Sequence, residues 1–422
     1  MSIETISVIG LGYIGLPTAA MFAAYGKKVI GVDVSKNAVD TINRGEIHIV
    51  EPDLDAIVHK AVTDGKLKAV LTPEPADAFL IAVPTPFLPT EKESDIPQPD
   101  LKYIQSAAMA IAPVLKNGDL VILESTSPVG ATEQMAEWLA EYRADLTFPK
   151  THGEESDIRI AHCPERVLPG HVVRELVEND RVIGGLTAKC SEQAVRLYKA
   201  FVKGDCVITN ARTAEMAKLT ENSCRDVQIA FANELSIICD KLDINVWELI
   251  SLANRHPRIN ILQPGPGVGG HCIAVDPWFI VSKTPEQALI IHTARKVNDS
   301  KPDWVIDKVK IAIADFLQAN PAKTAKDVTI ACYGLAFKPD IDDLRESPAL
   351  DISQRIAIMH AGRVLAVEPN INELDAFPEI ELMDFNDASS SADIQVLLVE
   401  HAQFKAKKLT RGVIIDTKGI WG

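Results

Sequence analysis

The sequence predicts an α/β protein in which two doubly wound domains are joined by a long central helix and a helical middle domain. A short apolar strand, a glycine turn and an apolar helix open the chain at 6–23. The stretch from Thr213 to about Leu242 is helical in pattern and lacks proline and glycine. A second strand, loop, helix and strand follow a change of composition at 320–323. We therefore expect domains at 1–205, 206–318 and 319–422.

The opening turn carries a dinucleotide-binding pattern. Its glycines suit a tight turn, an approach to pyrophosphate at a helix N-terminus, and close packing of helix on strand. The next strand, Lys28 to Val32, ends on Asp33, where a carboxylate accepts hydrogen bonds from a ribose and repels a 2′-phosphate. Alternatively, Asp33 only caps the next helix with Ser35. The pattern predicts a Rossmann-like domain that binds NAD through Gly10, Gly12, Tyr13, Ile14, Gly15 and Asp33.

Two later strands, Ala78 to Val83 and Leu120 to Glu124, end in polar turns that contain Thr85 and Thr126. Ligands of an open parallel sheet gather outside the carboxyl ends of its strands, so these turns are candidate walls of the nicotinamide site. Thr126 can donate a hydroxyl there, but Thr126 or Ser127 can equally cap the following helix.

A further polar cluster, at 163–170, follows the strand-like segment Ile158 to Ala161. Glu165 and Arg166 interrupt an otherwise apolar passage there, between two prolines. Charged residues in such loops serve function more often than packing, so we favour Glu165 as a site residue.

The central helix carries Lys218 and Asn222, which lie four residues apart and share a face. A lysine in a cleft can hold an oxyanion or take a proton, and the amide can orient a water. Lys218 can also be an ordinary solvated lysine. A second helix, 246–254, is followed by Arg255 and Arg258, which suit a phosphate or only solvate the turn.

The stretch 264–277 presents one thiol, Cys272, on a backbone with few side chains. Four glycines between 265 and 270 permit close approach of a substrate, with Gly269 among the contacts. If the chain then turns helical, Asp276 shares a face with Cys272. An unperturbed thiol titrates at about 8.5, so Cys272 needs help from His271, a lysine or a helix N-terminus. The alternative is a turn that holds a small buried hydrophobe.

A polar helix from about Pro302 to Ala319 precedes the second α/β pattern. Its first strand, Asp327 to Tyr333, runs into a crossover loop that lacks GxGxxG and carries Lys338 and Arg345. A doubly wound fold binds nucleotides at this position, so the loop predicts a second, anionic ligand.

Composition narrows the class of function. The net charge of -15 is spread along the chain, which argues against nucleic acid as a partner. No apolar run approaches the roughly 18 residues that span a bilayer, and the first strand leaves no room for a signal peptide. The seven cysteines are scattered and never form CxxC, which argues against disulfides and structural zinc. We expect a cytoplasmic enzyme without membrane contact or metal.

NAD together with a cysteine nucleophile implies an oxidation that passes through an aldehyde. The thiol adds to the aldehyde to give a thiohemiacetal, whose hydride leaves, and the resulting thioester is hydrolysed.

Six motifs in this order resemble the UDP-glucose/GDP-mannose dehydrogenase family over essentially the whole chain. They are GLGYIGLP at 10–17, STSPVG at 125–130, PER with PG at 164–170, AKLTEN at 217–222, GVGGHC at 267–272 and FKPDIDDLRESP at 337–348. The resemblance implies a homodimer built on the central helix. It also implies four-electron oxidation of the 6-hydroxymethyl group of a nucleotide sugar, with two NAD per turnover.

By the same resemblance, Cys272 is the thioester-forming nucleophile, Lys218 the oxyanion stabiliser or base, and Asp276 the acid that helps to activate the hydrolytic water. The remaining residues are implied to position sugar, water, nucleotide or cofactor. Thr126, Glu165, Arg166, Asn222 and Gly269 serve sugar and water, Lys338 meets the nucleotide sugar, Arg345 the cofactor, and Arg258 the neighbouring subunit's site.

His271 and Val275 depart from the GGSC and Lys-Asp pattern of the UDP-glucose and GDP-mannose branches. The pattern GGHCI.VDP is similar to the branch that acts on UDP-N-acetylhexosamines. This implies oxidation of UDP-N-acetyl-D-mannosamine to its uronate for surface polysaccharide such as enterobacterial common antigen. UDP-N-acetylglucosamine and UDP-glucose remain alternative substrates. A single-step 3-hydroxyacid-type dehydrogenase and a noncatalytic nucleotide sensor remain alternative functions.

Overall fold

The computed structural model describes residues 3–49, 51–90, 92, 95–168, 170–270, 272–374, 377–409 and 411–421. The chain divides into two compact units. Unit 1 comprises Met1–Glu221 and Trp278–Thr284, and unit 2 comprises Asn222–Pro277 and Pro285–Gly422.

Unit 1 is organised around a sheet with the strand order β3-β2-β1-β4-β5-β6-β7-β8. Neighbouring strands are parallel, apart from β6 with β7. The strands are β1 (Thr5–Ile9), β2 (Lys28–Val32), β3 (Leu67–Val70), β4 (Ala78–Ile81), β5 (Leu120–Leu123), β6 (Arg159–His162), β7 (Arg181–Gly185) and β8 (Cys206–Asn210).

Helices cover both faces of this sheet, because its central strands are apolar on both sides. In β4, Ala78 and Leu80 enter one apolar core, whereas Phe79 and Ile81 enter the other. The helices are α1 (Gly15–Ala24), α2 (Lys36–Asn43), α3 (Leu54–Thr63), α4 (Lys102–Ile111), α5 (Ala131–Tyr142), α6 (Pro149–His152), α7 (Val172–Glu178) and α8 (Ala188–Tyr198).

The middle of the chain is helical, as the sequence predicts. Its helices are α9 (Ala211–Lys241), α10 (Val246–Ala253), α11 (Asp276–Lys283) and α12 (Leu289–Ala319). The predicted start of the last helix near Pro302 is wrong, because Pro302 lies inside α12. Proline suits the first turn of a helix, where its missing N–H costs nothing. Here buried side chains on both sides of Pro302, such as Asn298 and Val305, continue one packed face through it.

Unit 2 contains the second parallel sheet, with the order β11-β10-β9-β12-β13. Its strands are β9 (Ile330–Tyr333), β10 (Val364–Val367), β11 (Glu381–Leu382), β12 (Ile394–Leu397) and β13 (Val413–Asp416). Its helices are α13 (Pro348–Met359), α14 (Phe385–Ser391) and α15 (Ala402–Lys405).

The predicted fold class is confirmed. Both sheets reverse their strand order beside their first strand, at β1 and at β9, and ligands of such sheets bind at these switch points. Within the part of the chain that the structure describes, no helix combines the length and apolarity needed to cross a membrane.

Candidate active site

The glycine loop after β1 is shaped by two glycines and left open by the third. Gly10 has φ of 91°, and its N–H donates to the Val32 carbonyl at 2.8 Å. A Cβ on Gly15 would lie 1.8 Å from the Gly10 carbonyl oxygen, so α1 can begin there only with glycine. Among the described residues, a Cβ on Gly12 would meet nothing within 4 Å. The space outside Gly12 therefore remains available to a ligand, and Tyr13, which is exposed, borders it in sequence.

Asp33 braces this loop from the end of β2. Its Oδ2 accepts the Leu11 N–H at 2.9 Å, and its Oδ1 accepts the Ser35 N–H at 2.8 Å. The cap of α2 is Ser35, whose Oγ accepts the Ala38 N–H, so Asp33 supports that cap and also holds the glycine loop through Leu11. A carboxylate has about four acceptor positions, which leaves room for ribose hydroxyls. The open loop and this half-buried acid fit the pyrophosphate and adenosine of NAD.

The turns after β4 and β5 are joined to each other. Thr85 donates its hydroxyl to the Thr126 carbonyl at 2.9 Å. Neither Thr126 nor Ser127 caps the next helix, because α5 begins only at Ala131 without a local side-chain cap. Its first N–H groups are instead satisfied from a distance by one carboxylate on α9. Glu215 accepts from Gly130 at 2.7 Å and from Thr132 at 2.8 Å, a pairing that no local pattern in the sequence indicates.

Glu165 belongs to a buried charged cluster beyond the carboxyl ends of β5 and β6. It is 6% exposed and accepts from Arg181 at 2.8 Å. The Arg181 guanidinium lies 5.0 Å from the centre of the Tyr198 ring, and Tyr198 donates to Glu124 at 2.9 Å. Burial, and then the charge of Glu165, raise the pKa of Glu124 to about 7. We call Glu124, Glu165, Arg181 and Tyr198 the Glu124 cluster.

Arg166, the residue after Glu165, also interacts with other residues of the protein. The Arg166 N–H donates to Glu165 Oε1 at 2.8 Å, and its guanidinium pairs with Glu221 at 2.6 Å. The roles of Glu165 and Arg166 toward a sugar therefore stay predictions.

In unit 2, the structure brings Cys272, Asp276 and Asn222 together. Cys272 is exposed, so the alternative of a buried structural thiol is wrong. The Asp276 N–H donates to the Cys272 carbonyl at 2.9 Å, which places the two residues one helical turn apart. Asn222 donates its side-chain amide to Asp276 Oδ2 at 2.5 Å. Lys218, half-buried, lies one turn before Asn222 on α9, and His271 is outside the described residues.

The glycines before Cys272 pack against the crossover loop of the second sheet. A Cβ on Gly269 would lie 2.2 Å from the Glu346 carbonyl oxygen and 2.6 Å from Pro348. A Cβ on Gly270 would lie 3.0 Å from the Phe337 ring. The close approach that the sequence predicts for a ligand is thus used here by another segment of the same chain.

That crossover loop also carries the predicted nucleotide contacts. Lys338 is half-buried, with its ammonium 5.8 Å from the centre of the Phe337 ring. Arg345 is exposed and pairs with Asp343 at 2.6 Å. Arg258, on the loop after α10, is exposed as well.

Comparison with known families agrees with these two Rossmann-like folds. Residues 4–202 match the NAD binding domain of the UDP-glucose/GDP-mannose dehydrogenase family, 212–300 its central domain, and 331–422 its UDP binding domain. The chain belongs to this family. It is therefore an oxidoreductase of the nucleotide-sugar dehydrogenase type with an NAD binding domain, which confirms the predicted family, enzyme class and cofactor.

Individual members of the family resemble the chain over nearly its whole length. A Yersinia pestis protein named UDP-N-acetyl-D-mannosamine dehydrogenase is 65% identical over 426 residues, covering 100% of both chains. A Ralstonia nicotianae protein named NDP-N-acetyl-D-galactosaminuronic acid dehydrogenase is 64% identical, covering 99% of this chain and 96% of the relative. A UDP-N-acetyl-mannosamine dehydrogenase structure from S. aureus has a TM-score of 0.85 at 41% identity, covering 99% of this chain and 96% of that one.

Proposed function

We propose that this enzyme oxidises UDP-N-acetyl-D-mannosamine to UDP-N-acetyl-D-mannosaminuronate through a thioester on Cys272. The observation that carries the proposal is the exposed Cys272 one helical turn from Asp276, whose carboxylate accepts from Asn222. Oxidation of an alcohol to an aldehyde needs no nucleophilic side chain. Oxidation onward to an acid gains from a thiol that captures the aldehyde, and from a group that activates water.

The residues divide the steps among them. NAD, when bound, supplies the oxidising power by accepting hydride, and a four-electron oxidation consumes two equivalents. Lys218 takes the proton of the C6 hydroxyl or stabilises the oxygen anion. The Cys272 thiolate then adds to the aldehyde carbon, and loss of the second hydride leaves a thioester. Asp276, oriented by Asn222, takes a proton from the water that attacks this thioester, which releases the carboxylate and the thiol.

The remaining predicted residues bind cofactor and substrate in this proposal. The loop with Gly12 and the carboxylate of Asp33 hold NAD, with Thr85 and Thr126 beside the nicotinamide. Lys338 holds the nucleotide sugar and Arg345 the cofactor. Lys338 lies in the domain matched as UDP binding, which supports its assignment to the nucleotide sugar.

The N-acetylmannosamine substrate is supported by His271 and Val275 and by the name of the Yersinia pestis relative. The uronate would serve surface polysaccharide such as enterobacterial common antigen. A second candidate is an N-acetylgalactosamine nucleotide, because the Ralstonia nicotianae relative is as similar at 64% identity. N-acetylmannosamine and N-acetylgalactosamine differ in the configuration of ring hydroxyl and amide groups.

We also propose a homodimer built on α9, in the reducing conditions of a cytoplasm. Phe231, Ile238 and Leu242 are exposed large apolar side chains at the spacing of one helical face. Burial of this face against a second copy would remove it from water, and Arg258 would serve the partner's site. Light scattering of the wild type and of Phe231→Glu tests this, since a charge on the face should yield monomers.

The first experiment measures NADH released per sugar nucleotide consumed. Purified protein receives UDP-N-acetylmannosamine, UDP-N-acetylgalactosamine, UDP-N-acetylglucosamine or UDP-glucose, in parallel with Cys272→Ala. We expect about two NADH per uronate with the manno sugar, and loss of uronate formation in the variant. One NADH per product would instead indicate a single-step dehydrogenase. Preference for another sugar would overturn the proposed substrate. Full uronate formation by Cys272→Ala would overturn the proposed thioester mechanism.

A further inference from the structure

We propose that Asn233 is a positioning residue for Cys272. With Asn222 it forms a two-point clamp that holds Gly265 and Asp276, on either side of Cys272 in the sequence, on α9. The inference rests on the proposed function, in which Cys272 is the nucleophile, and it adds a residue that lies outside the six sequence motifs.

The clamp fixes both ends of the cysteine segment to one helix. At its beginning, the Gly265 N–H donates to Asn233 Oδ1 at 2.9 Å. At its end, Asp276 Oδ2 accepts from the Asn222 amide at 2.5 Å. Asn222 and Asn233 are separated by about three helical turns, or roughly 16 Å, and so share a face. In the sequence, Cys272 lies between these two anchors, which are both held by residues of α9.

The amide of Asn233 is held in one orientation by a buried ladder between α9 and α12. Its Nδ2 donates to Asn298 Oδ1 at 2.9 Å, and Asn298 Nδ2 donates to Asp226 Oδ1 at 2.8 Å. Arg295 donates to the same Asp226 oxygen at 2.6 Å. All four side chains are at most 2% exposed. The Asp226 carboxylate can only accept, so Asn298 turns its Nδ2 toward Asp226 and its Oδ1 toward Asn233. The Nδ2 of Asn233 therefore faces Asn298, and its oxygen must face Gly265.

Gly269 and Gly270 pack against the crossover loop, and the Asn233 contact adds an anchor at the start of the segment. The glycines at 265, 267, 269 and 270 leave its backbone permissive, and the exposed Cys272 is not held by burial. A misplacement of about 1 Å at a reacting atom can lower a rate by roughly a hundredfold. A lost anchor at Gly265 should therefore act on turnover more than on cofactor binding.

Two substitutions at Asn233 separate positioning from packing. Asn233→Asp keeps an acceptor for Gly265 but loses the donor to Asn298, whereas Asn233→Leu keeps the branched shape and removes both. We expect Asn233→Leu to lower kcat per folded molecule at least about thirtyfold, with the KM for NAD within about threefold, and Asn233→Asp to stay within about fivefold of wild type. A purely structural role predicts the reverse order, because Asp places a charge at a fully buried position.

Asn43, an exposed asparagine that also holds a distant backbone segment, provides a control. Its side chain accepts the Ala69 N–H at 2.8 Å and donates to the Ala69 carbonyl at 2.9 Å, in unit 1 and far along the chain from Cys272. Asn43→Ala should keep kcat within about twofold. An equal loss of kcat in Asn43→Ala, or a fully active Asn233→Leu, would overturn the proposal.

Hydrogen exchange of the wild type tests the clamp without any substitution. The Gly265 amide should exchange at least about a hundredfold more slowly than an open loop, like the amides of α9. Exchange at the open-loop rate refutes the clamp even if Asn233 variants fail to fold. Failure of the proposed function is distinguishable, because it appears as absent uronate formation by the wild type.

Discussion

The Glu124 carboxyl makes the stability of unit 1 depend on pH in a defined direction. Glu124 is 1% exposed, and its pKa rises from the ordinary 4.5 to about 7 because of burial and then the charge of Glu165. The folded protein therefore binds this proton more tightly than the unfolded chain does. Its stabilising effect is complete below pH 4.5 and is lost as the pH rises through about 7. Since one pKa unit corresponds to about 1.4 kcal/mol, the loss amounts to about 3 kcal/mol.

The substitution Glu124→Gln removes this loss of stability at high pH. Glutamine is neutral at every pH and retains an oxygen for the hydrogen bond that Tyr198 donates at 2.9 Å. Its amide N–H groups replace an oxygen without a hydrogen-bond partner among the described residues, at a cost of about 1 kcal/mol. We expect the variant to be about 2 kcal/mol more stable than wild type at pH 8, and about 1 kcal/mol less stable at pH 4.5.

Unfolding midpoints measured between pH 4.5 and 8.5 check this expectation. Glu74→Gln is the control, because Glu74 pairs with Lys68 at the protein surface. The unfolding midpoint of Glu74→Gln should vary with pH in parallel with that of wild type. The midpoint of Glu124→Gln should instead cross that of wild type as the pH rises. Parallel curves for Glu124→Gln and wild type would refute the assignment of a neutral, buried Glu124.

Three further predictions concern ligand binding and packing. Gly12→Ala should fold normally but raise the Kd for NAD at least about tenfold in calorimetry, because its methyl fills the open space, whereas Gly15→Ala should fail to yield folded protein. Gly269→Ala should lose about 1–3 kcal/mol of stability in calorimetry, because its Cβ would lie 2.2 Å from a carbonyl oxygen of the crossover loop. Lys338→Ala should raise the KM for the nucleotide sugar about tenfold in initial-rate assays and leave the KM for NAD unchanged.

The fold and the NAD loop could be predicted because their determinants are local. The strand, the three glycines and Asp33 lie within a short stretch, and the roles of Gly10 and Gly15 follow from sterics that any such turn imposes. Likewise, the helical spacing between Cys272 and Asp276 needs only the backbone turn that the structure contains.

Contacts between distant segments could not be predicted in this way. Glu215 caps α5 from 83 residues away, Arg181 at the start of β7 pairs with Glu165 after β6, and Asn233 contacts the cysteine segment from α9. Such pairs produce no periodic pattern in the sequence, because each polar residue considered alone could equally lie in solvent. The glycines before Cys272 show the same limit: their sequence indicates that something approaches the backbone closely, and only the structure identifies Glu346 and Phe337.

The two switch-point loops use the same backbone device. In unit 2, Gly334 has φ of 87° and donates to the Val367 carbonyl at 2.8 Å, as Gly10 does to Val32 in unit 1. The next residue in each loop donates to an acid after the second strand. Leu335 donates to Glu368 at 2.7 Å, just as Leu11 donates to Asp33.

Glu368 and Asp33 differ in how far they are buried by neighbouring side chains, and this difference assigns the dinucleotide to unit 1. His401 accepts the Asp340 N–H on Nδ1 at 2.9 Å, so its Nε2 carries the proton that it donates to Glu368 at 3.0 Å. Glu368 and His401 side chains are both fully buried, which closes the acid to a ribose. Asp33 is half-buried, and Gly12 leaves its loop open. The same type of loop can thus serve a dinucleotide in unit 1, while in unit 2 it braces the crossover loop that carries Lys338.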